Sequence, residues 1–412
     1  MKTELKANSL SLFESIVMGV AGSAPGYTIA VTTAVLLGVA KALSPGALLI
    51  FAIPMLGIAL AYKALNREHV HAGAAYQWTT VCFGRLAGFF SGWALLVASM
   101  VFMVAGSLPL ATATLDFIDP ALANHVGLSA GVATVWFLAV AFVLIVGIEV
   151  TSRVQVVMTS IELIILTAVL AAAFFHAGRF GVVNPFSWSW FGFGYTPEAF
   201  AASALVVVFF YWGWDVTANL GEETMNAQDN AGNGGFISIF ITIAYYLAFV
   251  FAALFLFSIG NAQNLNANII YNIAVSAGLG RSGGLLASMA VILSSIATLE
   301  TTMLQFSRTL FAMGRDGALA RRFGVVDART RTPVRAMLVL TAMGLLLLWG
   351  SSLMPTVNKI IGDSVRTVGL LVAYYYGAAG RERLSDGPGV DGDQGGYLPE
   401  DRNECERKRK RA

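Results

Sequence analysis

Gly22-Ser23-Ala24-Pro25-Gly26 lies in the middle of the first long apolar stretch of this chain, and the reading of the rest depends on what those residues do. From Ser15 to Ala40 the sequence is apolar enough, and long enough, to cross a bilayer as a helix. Two glycines and a proline at its centre work against a continuous one. Gly costs about 1 kcal/mol and Pro about 3 kcal/mol relative to Ala in a helix interior. Backbone groups released by a break are tolerated at membrane depth only where they line a protein cavity or bind something. The stretch therefore predicts an interrupted helix whose second half turns a partially positive N-terminus towards a small ligand. A kinked packing helix is the plainer alternative, because Gly and Pro are frequent in membrane spans.

Composition supports a membrane setting. Of 412 residues, 57% are hydrophobic and 12% charged, against about 25% charged in soluble domains. The chain reads as an all-α integral membrane protein. Its net charge of +2 is no sign of nucleic-acid binding, since the charges are segregated along the sequence. Cys82 and Cys405 are too few for a disulfide framework or a zinc cluster. His69, His71, His125 and His176 are scattered without metal-ligand spacing, so no metal and no cofactor is expected. Lys2 and Lys6 precede an apolar run too long for a signal-peptide core, which predicts a retained first span. No phosphate-binding loop points to an attached ATPase.

Apolar runs predict about ten spans, near 15–40, 43–64, 84–114, 128–149, 154–177, 198–221, 233–260, 283–313, 334–354 and 356–378. The third and eighth are long enough to need tilt or extension beyond the bilayer. With the N-terminus inside, Lys63, Arg67, Arg85 and Arg153 fall at internal loops, and Arg315, Arg321, Arg322, Arg329, Arg331 and Arg335 in another. The external loops carry mainly Lys41, Arg179 and Arg281, so the basic bias favours a cytoplasmic N-terminus. The loop after the sixth span is the exception, with Glu222, Glu223 and Asp229 but no basic residue. The expected organisation is a cytoplasmic segment 1–14, a transport core 15–378 made of repeats 15–177 and 198–378, and a charged cytoplasmic tail 379–412. The tail ends in Arg407-Lys408-Arg409-Lys410-Arg411, too polar to fold alone and able to touch anionic lipid.

The sixth span repeats the oddity of the first. Phe209-Phe210-Tyr211-Trp212-Gly213-Trp214-Asp215 sets a Gly between two Trp, with an acid beside them, at mid-membrane depth. Interrupted helices at corresponding positions of two halves point to a transporter's central site.

Several stretches resemble the amino acid–polyamine–organocation (APC) permease superfamily. Ala72-Gly73-Ala74-Ala75-Tyr76-Gln77-Trp78 and Gly88-Phe89-Phe90-Ser91-Gly92-Trp93 are similar to its A-G-G-x-Y-x-W and G-F-x-x-G-W, with Ala74 in place of the second Gly. Gly213-Trp214-Asp215 followed by Glu222-Glu223 resembles its G-F-D and E-E pattern. Ser307 to Gly317, then Thr332-Pro333, is similar to S-R-x-x-x-A-M-x-R-D-G followed by T-P, the most specific match. The resemblance runs from about residue 12 to 378. It implies a leucine-transporter-like fold of two inverted five-helix repeats with spans one and six unwound. It also implies secondary transport of amino acids, amines or polyamines by alternating access. Most members have twelve spans, so this chain resembles a permease truncated after the tenth.

These expectations assign residues. Gly22 permits close approach, and the N–H groups of Ser23, Ala24 and Gly26 would meet a substrate carboxylate. Trp212 and Trp214 offer ring faces to an ammonium, Gly213 opens the second break, and Phe209 and Tyr211 are divided between gate and packing. Asp215 would pair with a substrate ammonium or cap the half-helix that follows it. Glu162 in the fifth span stands near where proton-coupled relatives carry a Lys. It is a proton carrier or a hydrogen-bonded structural acid, and Glu300 is a weaker third acid. Ser294, Ser295 and Thr298 lie where sodium-coupled relatives place hydroxyls, although hydroxyls also bond their own helix. Asp363 and Arg366 share a helix face as an ion pair, gating or structural, and Arg308, Arg315 and Asp316 resemble the family's cytoplasmic anchor, with a role in inner-gate pairing or topology.

The function expected is a permease of the cell membrane for amino acids or organic amines, driven by protons rather than sodium, or by exchange. A non-transporting truncated permease or nutrient sensor is the alternative. An intramembrane enzyme would need a nucleophile and base paired in mid-span, and no such pair is present. The substrate, the coupling ion and the oligomeric state are left open.

Overall fold

The structure, a computed structural model, describes residues 4–119, 122, 125–262, 268–353 and 357–380; for 261–262, 357–366 and 380 it describes the backbone alone. The first apolar stretch is two helices, α1 (Leu12–Ser23) and α2 (Pro25–Ala40). Ser11 and Glu14 start α1 with a reciprocal capping box, the Ser11 N–H donating to Glu14 Oε2 at 2.7 Å. Ala24 ends it in the left-handed region (φ 46°, ψ 67°), its N–H turned back to the carbonyls of Val20 and Ala21. Pro25 then occupies the first position of α2, where a missing N–H costs nothing. The predicted break is therefore one residue wide.

The chain continues as α3 (Ser44–Glu68), the short α4 (Ala75–Phe83), α5 (Arg85–Asp116), α6 (Val126–Val146) and α7 (Ile148–Phe180). Between α6 and α7 the expected loop around Arg153 is absent. Gly147 (φ 135°) makes the turn alone, and Arg153 lies inside α7. The sixth span is α8 (Pro197–Phe210) and the single turn α9 (Val216–Asn219), separated by residues 211–215. Then come α10 (Ala227–Leu256), α11 (Ile259–Ala262), α12 (Ile269–Ala274), α13 (Gly280–Arg315), α14 (Val334–Ser351) and α15 (Val357–Gly380). α13 has 36 residues, about 54 Å at 1.5 Å per residue, and so outreaches the bilayer as its sequence predicts.

Seven helical stretches among the described residues are long and apolar enough to cross a membrane. One of them, Leu12–Glu68, carries two spans, and the shorter apolar helices Pro197–Phe210 and Thr367–Ala379 complete ten. The protein is a multi-pass, all-helical membrane protein. α13 packs against α5, α7, α2 and α14; α1 packs against α10 and α7; α15 lies on α5, α8 and α3. The segment before α1 docks beside the loop after α9. Ser9 and Leu10 donate to Glu223 O at 2.7 and 3.1 Å, and Met225 N–H returns a bond to Leu10 O at 2.7 Å. The charged tail lies outside the described residues, Cys405 with it.

Candidate functional site

The two breaks touch. A Cβ on Gly22 would collide with the Gly213 carbonyl, and one on Gly213 with the Gly22 carbonyl. Gly213 also has φ 104°, a conformation that side chains disfavour. Backbone meets backbone here because both positions are glycine, which brings one unwound span against the other.

At the first break the expected cradle of three free donors is not assembled. The Ala24 N–H closes α1, and the Gly26 N–H donates to Glu162 Oε1 at 2.9 Å. The physical reason is the narrowness of the break: one left-handed residue folds its own N–H back and leaves a single donor facing α7. Gly26 fits tightly there, since a Cβ would stand 3.1–3.2 Å from Ala290 O, Glu162 Oε1 and Ser294 Cβ. The released carbonyls take hydroxyls. Ser23 O accepts from Tyr246 OH at 2.7 Å and from Thr28 Oγ1 at 2.9 Å, and Gly22 O from Thr298 Oγ1 at 3.1 Å. The Ser23 hydroxyl donates to Gly19 O of its own helix. Glu162 is fully buried on α7, and its Oε2 has no partner among the described residues; Ser294 Oγ nearby has none either. Of the three expected hydroxyls, Thr298 and Ser294 face this break. Ser295 instead donates to Val291 O of its own helix at 2.8 Å. Glu300 is buried on α13 with Oε2 unpartnered among the described residues, joined by no hydrogen bond to either break.

The second break is organised around Asp215, only 1% exposed. It stands at the N-cap of α9 but makes no capping bond, so of its two expected roles the cap is not formed. α9 is a single turn, and stronger donors surround the carboxylate. Gln305 Nε2 donates to Oδ2 at 2.7 Å, Tyr375 OH to Oδ2 at 3.0 Å and Tyr376 OH to Oδ1 at 2.9 Å. Trp212 Nε1 donates to the Tyr375 hydroxyl at 2.6 Å, extending the ring of donors from α13 and α15 back to the break. Phe209 packs with Tyr27, Phe102 and Trp212 at centroid distances of 6.4, 6.2 and 6.4 Å. Trp214 lies against Tyr62 and Tyr376 at 5.2 and 5.8 Å, its indole N–H buried without a partner among the described residues. Tyr211 points to α3, donating to Leu48 O at 3.0 Å.

Gln305, Tyr375, Tyr376 and Tyr246 were not singled out from sequence. The signal available was the Tyr374-Tyr375-Tyr376 run in the last span, since buried phenols demand partners.

The end of the bundle where α13 terminates, the Arg-rich end, explains the acidic loop after the sixth span. Arg308 and Glu223 form a two-pronged pair at 2.9 and 2.9 Å with both side chains 0% exposed. Arg315 grips Glu222 at 2.9 and 2.7 Å, and Glu222 also accepts the Ala72 N–H at 2.9 Å. Asp316 stands 3.5 Å from His71. Burial opposes ionisation of Glu222, but Arg315 and the Ala72 N–H outweigh it and hold the carboxyl below its ordinary range. Asp316 is lowered against burial in the same way by His71 and Arg315. The Arg308, Arg315 and Asp316 expected at an inner gate are thus brought together with Glu222 and Glu223. The side chains of Asp363 and Arg366 lie outside the described residues. Among the described residues no group of acids, His and Cys could hold a metal ion.

The family model for amino acid permeases matches residues 10–378. The chain belongs to the amino acid permease family. The permease is 24% identical over 361 residues to the vacuolar cationic amino acid transporter 4 of Arabidopsis thaliana, covering 81% of this chain and 57% of that relative. It thus spans little more than half of that relative's length. It is 24% identical over 399 residues to the low-affinity putrescine importer PlaP of Escherichia coli (strain K12), with 91% of this chain and 80% of the importer covered. Among solved structures, the permease resembles MhsT in complex with L-phenylalanine at a TM-score of 0.56 and 14% identity, covering 90% of this chain and 89% of that one. That likeness is one of fold, and the fold is leucine-transporter-like: inverted five-helix repeats with the first and sixth spans interrupted.

Proposed function

We propose that this permease is a secondary active transporter that moves amino acids or related organic amines across the cell membrane by alternating access, coupled to protons or to exchange. The observation that carries the reading is Asp215: a buried carboxylate at the crossing of two broken helices, ringed by neutral donors and aromatic faces. Among the described residues no cationic side chain bonds it. An ionised acid in that setting lacks a countercharge, and a substrate ammonium supplies one while stacking on Trp212 or Trp214. The relatives named for cationic amino acids and for putrescine support a substrate with a positive group.

Glu162 is the coupling group in this reading. It has one N–H donor and, among the described residues, an oxygen without a partner at the first break, and a proton satisfies that oxygen without another ligand. The permease core is residues 15–378, built of repeats 15–177 and 198–378, with the N-terminus, the Arg-rich end and the tail on the cytoplasmic side. The basic loops there support that orientation. The test is uptake of radiolabelled putrescine, arginine and isoleucine into proteoliposomes, with and without an inward proton gradient or a preloaded counter-substrate. Uptake that a gradient or exchange accelerates is expected, greatest for the cations. A folded protein that binds these ligands but moves none would favour a sensor, and one that binds none would end the reading.

A further inference from the structure

A small cavity opens directly beside Asp215, towards the Arg-rich end, and the turn that walls it holds a strained residue. Besides Asp215 its polar lining is Tyr62, Tyr76, Asn219, Thr309 and Ser91, with no cation among them. Side-chain donors place two bonds on Asp215 Oδ2 and one on Oδ1, and a carboxylate offers roughly four acceptor positions. The cavity is tight because two glycines bring its walls together. A Cβ on Gly73 would stand 2.6 Å from the Tyr76 ring, and one on Gly92 would stand 2.8 Å from Met313 Sδ.

Between those glycines is Ala74. The Tyr76 N–H donates to Gly73 O at 3.0 Å, closing a turn whose first central residue, Ala74, has φ 40° and ψ −114°. That conformation belongs to glycine, yet this chain carries a methyl there. Ala74 is 2% exposed and lines the cavity. A strained non-glycine residue against a binding-site carboxylate is where strain and function tend to coincide.

We propose that this cavity is a subsite for the compact head of a primary ammonium, and that Ala74 sets its size, shutting out N-methylated ammonium and guanidinium groups. The proposal rests on the reading that Asp215 takes the substrate's ammonium. The lining fits such a guest: two phenols, hydroxyl and amide oxygens to receive N–H groups, and the Asp215 carboxylate itself.

The test uses the full chain in detergent and measures binding of propylamine, N-methylpropylamine, N,N-dimethylpropylamine and propylguanidine by calorimetry. The native protein is expected to bind propylamine and to lose about tenfold or more on the first N-methyl group. Ala74→Gly is expected to remove most of that penalty and to raise the melting temperature as the turn relaxes. Gly92→Ala, which adds a methyl against the flexible Met313 thioether, is expected to steepen it. An Ala74→Gly protein that melts higher but keeps the same methyl penalty would reduce Ala74 to a strained turn and overturn the proposal. So would a native protein that binds every head group equally. If primary amines bind to none of the proteins, Asp215 as the ammonium site falls as well; if Asp215→Asn abolishes binding while methyl tolerance is the same in the native, Ala74→Gly and Gly92→Ala proteins, only the subsite falls.

Discussion

The two interrupted spans each meet one buried carboxylate, and they hold it in opposite ways. At the first break the acid comes from outside: Glu162 reaches across from α7 and takes the single Gly26 N–H, its second oxygen unpartnered among the described residues. At the second the acid belongs to the break itself, and α13 and α15 send it three side-chain donors. Three donors and no acceptor suit an ion waiting for a cation; one donor and an orphan suit an acid that takes up and gives back a proton. Two chemically similar groups at one crossing point thus differ in their hydrogen bonds, and the proposed division of tasks rests on that difference.

The largest effects are expected at the crossing. Gly213→Ala places a methyl against the Gly22 carbonyl at φ 104°, combining overpacking with left-handed strain for roughly 2–5 kcal/mol. Gly22→Ala meets the same crowding inside a right-handed helix end and should cost about 1–3 kcal/mol. Melting curves of the two variants check the order. Equal losses would mean that crowding alone, and not the conformation of the second break, holds the spans together.

The carboxylates come next. Asp215→Asn removes the countercharge for a bound ammonium, and amine affinity should fall about a hundredfold, the scale of truncating a buried charged pair. Glu162→Gln keeps the Gly26 N–H acceptor and should leave amine binding within a few-fold of native while abolishing acceleration of uptake by a proton gradient. Calorimetry and proteoliposome uptake on the same preparations separate the two roles. An Asp215→Asn protein that binds amines normally while Glu162→Gln loses binding would exchange them.

The place of each break was legible in the sequence because Gly and Pro act locally, on the helix that contains them. Their partners were not. Glu162 is 136 residues from Gly26, Tyr246 is 223 from Ser23, and Tyr375 is 160 from Asp215. Only the packing of spans brings such residues together, and no local pattern encodes it. The same distinction explains why the expected run of donors is not assembled and why Asp215 does not cap. A one-residue break at Ala24 returns its own N–H to α1, so a run of backbone donors read from sequence shrinks to one. Asp215 sits where a capping acid would, but a tertiary ring of donors outcompetes a single-turn helix. The unpaired acids after the sixth span posed the reverse problem: Glu222 and Glu223 look anomalous along the chain and are neutralised by Arg315 and Arg308 from α13.

That Arg-rich end offers the smallest expected effect and a control, because its carboxylates are paired with cations as, among the described residues, neither break's acid is. Glu222 and Asp316 are held below their ordinary carboxylate range. A depressed carboxyl contributes stability above its unfolded pKa, near 4, and loses it as the pH falls through the folded value. Both side chains are partly exposed, at 20% and 27%, so solvent screens the pairs and the contribution is modest. The melting temperature should hold from neutral pH to about 5 and then fall by a few degrees under more acid conditions. Glu222→Gln should melt lower at neutral pH and show a shallower acid decline, while Glu162→Gln should leave that decline unchanged. An acid decline identical in native and Glu222→Gln proteins would mean that the Arg315 grip fixes the geometry of this end without adding to its stability.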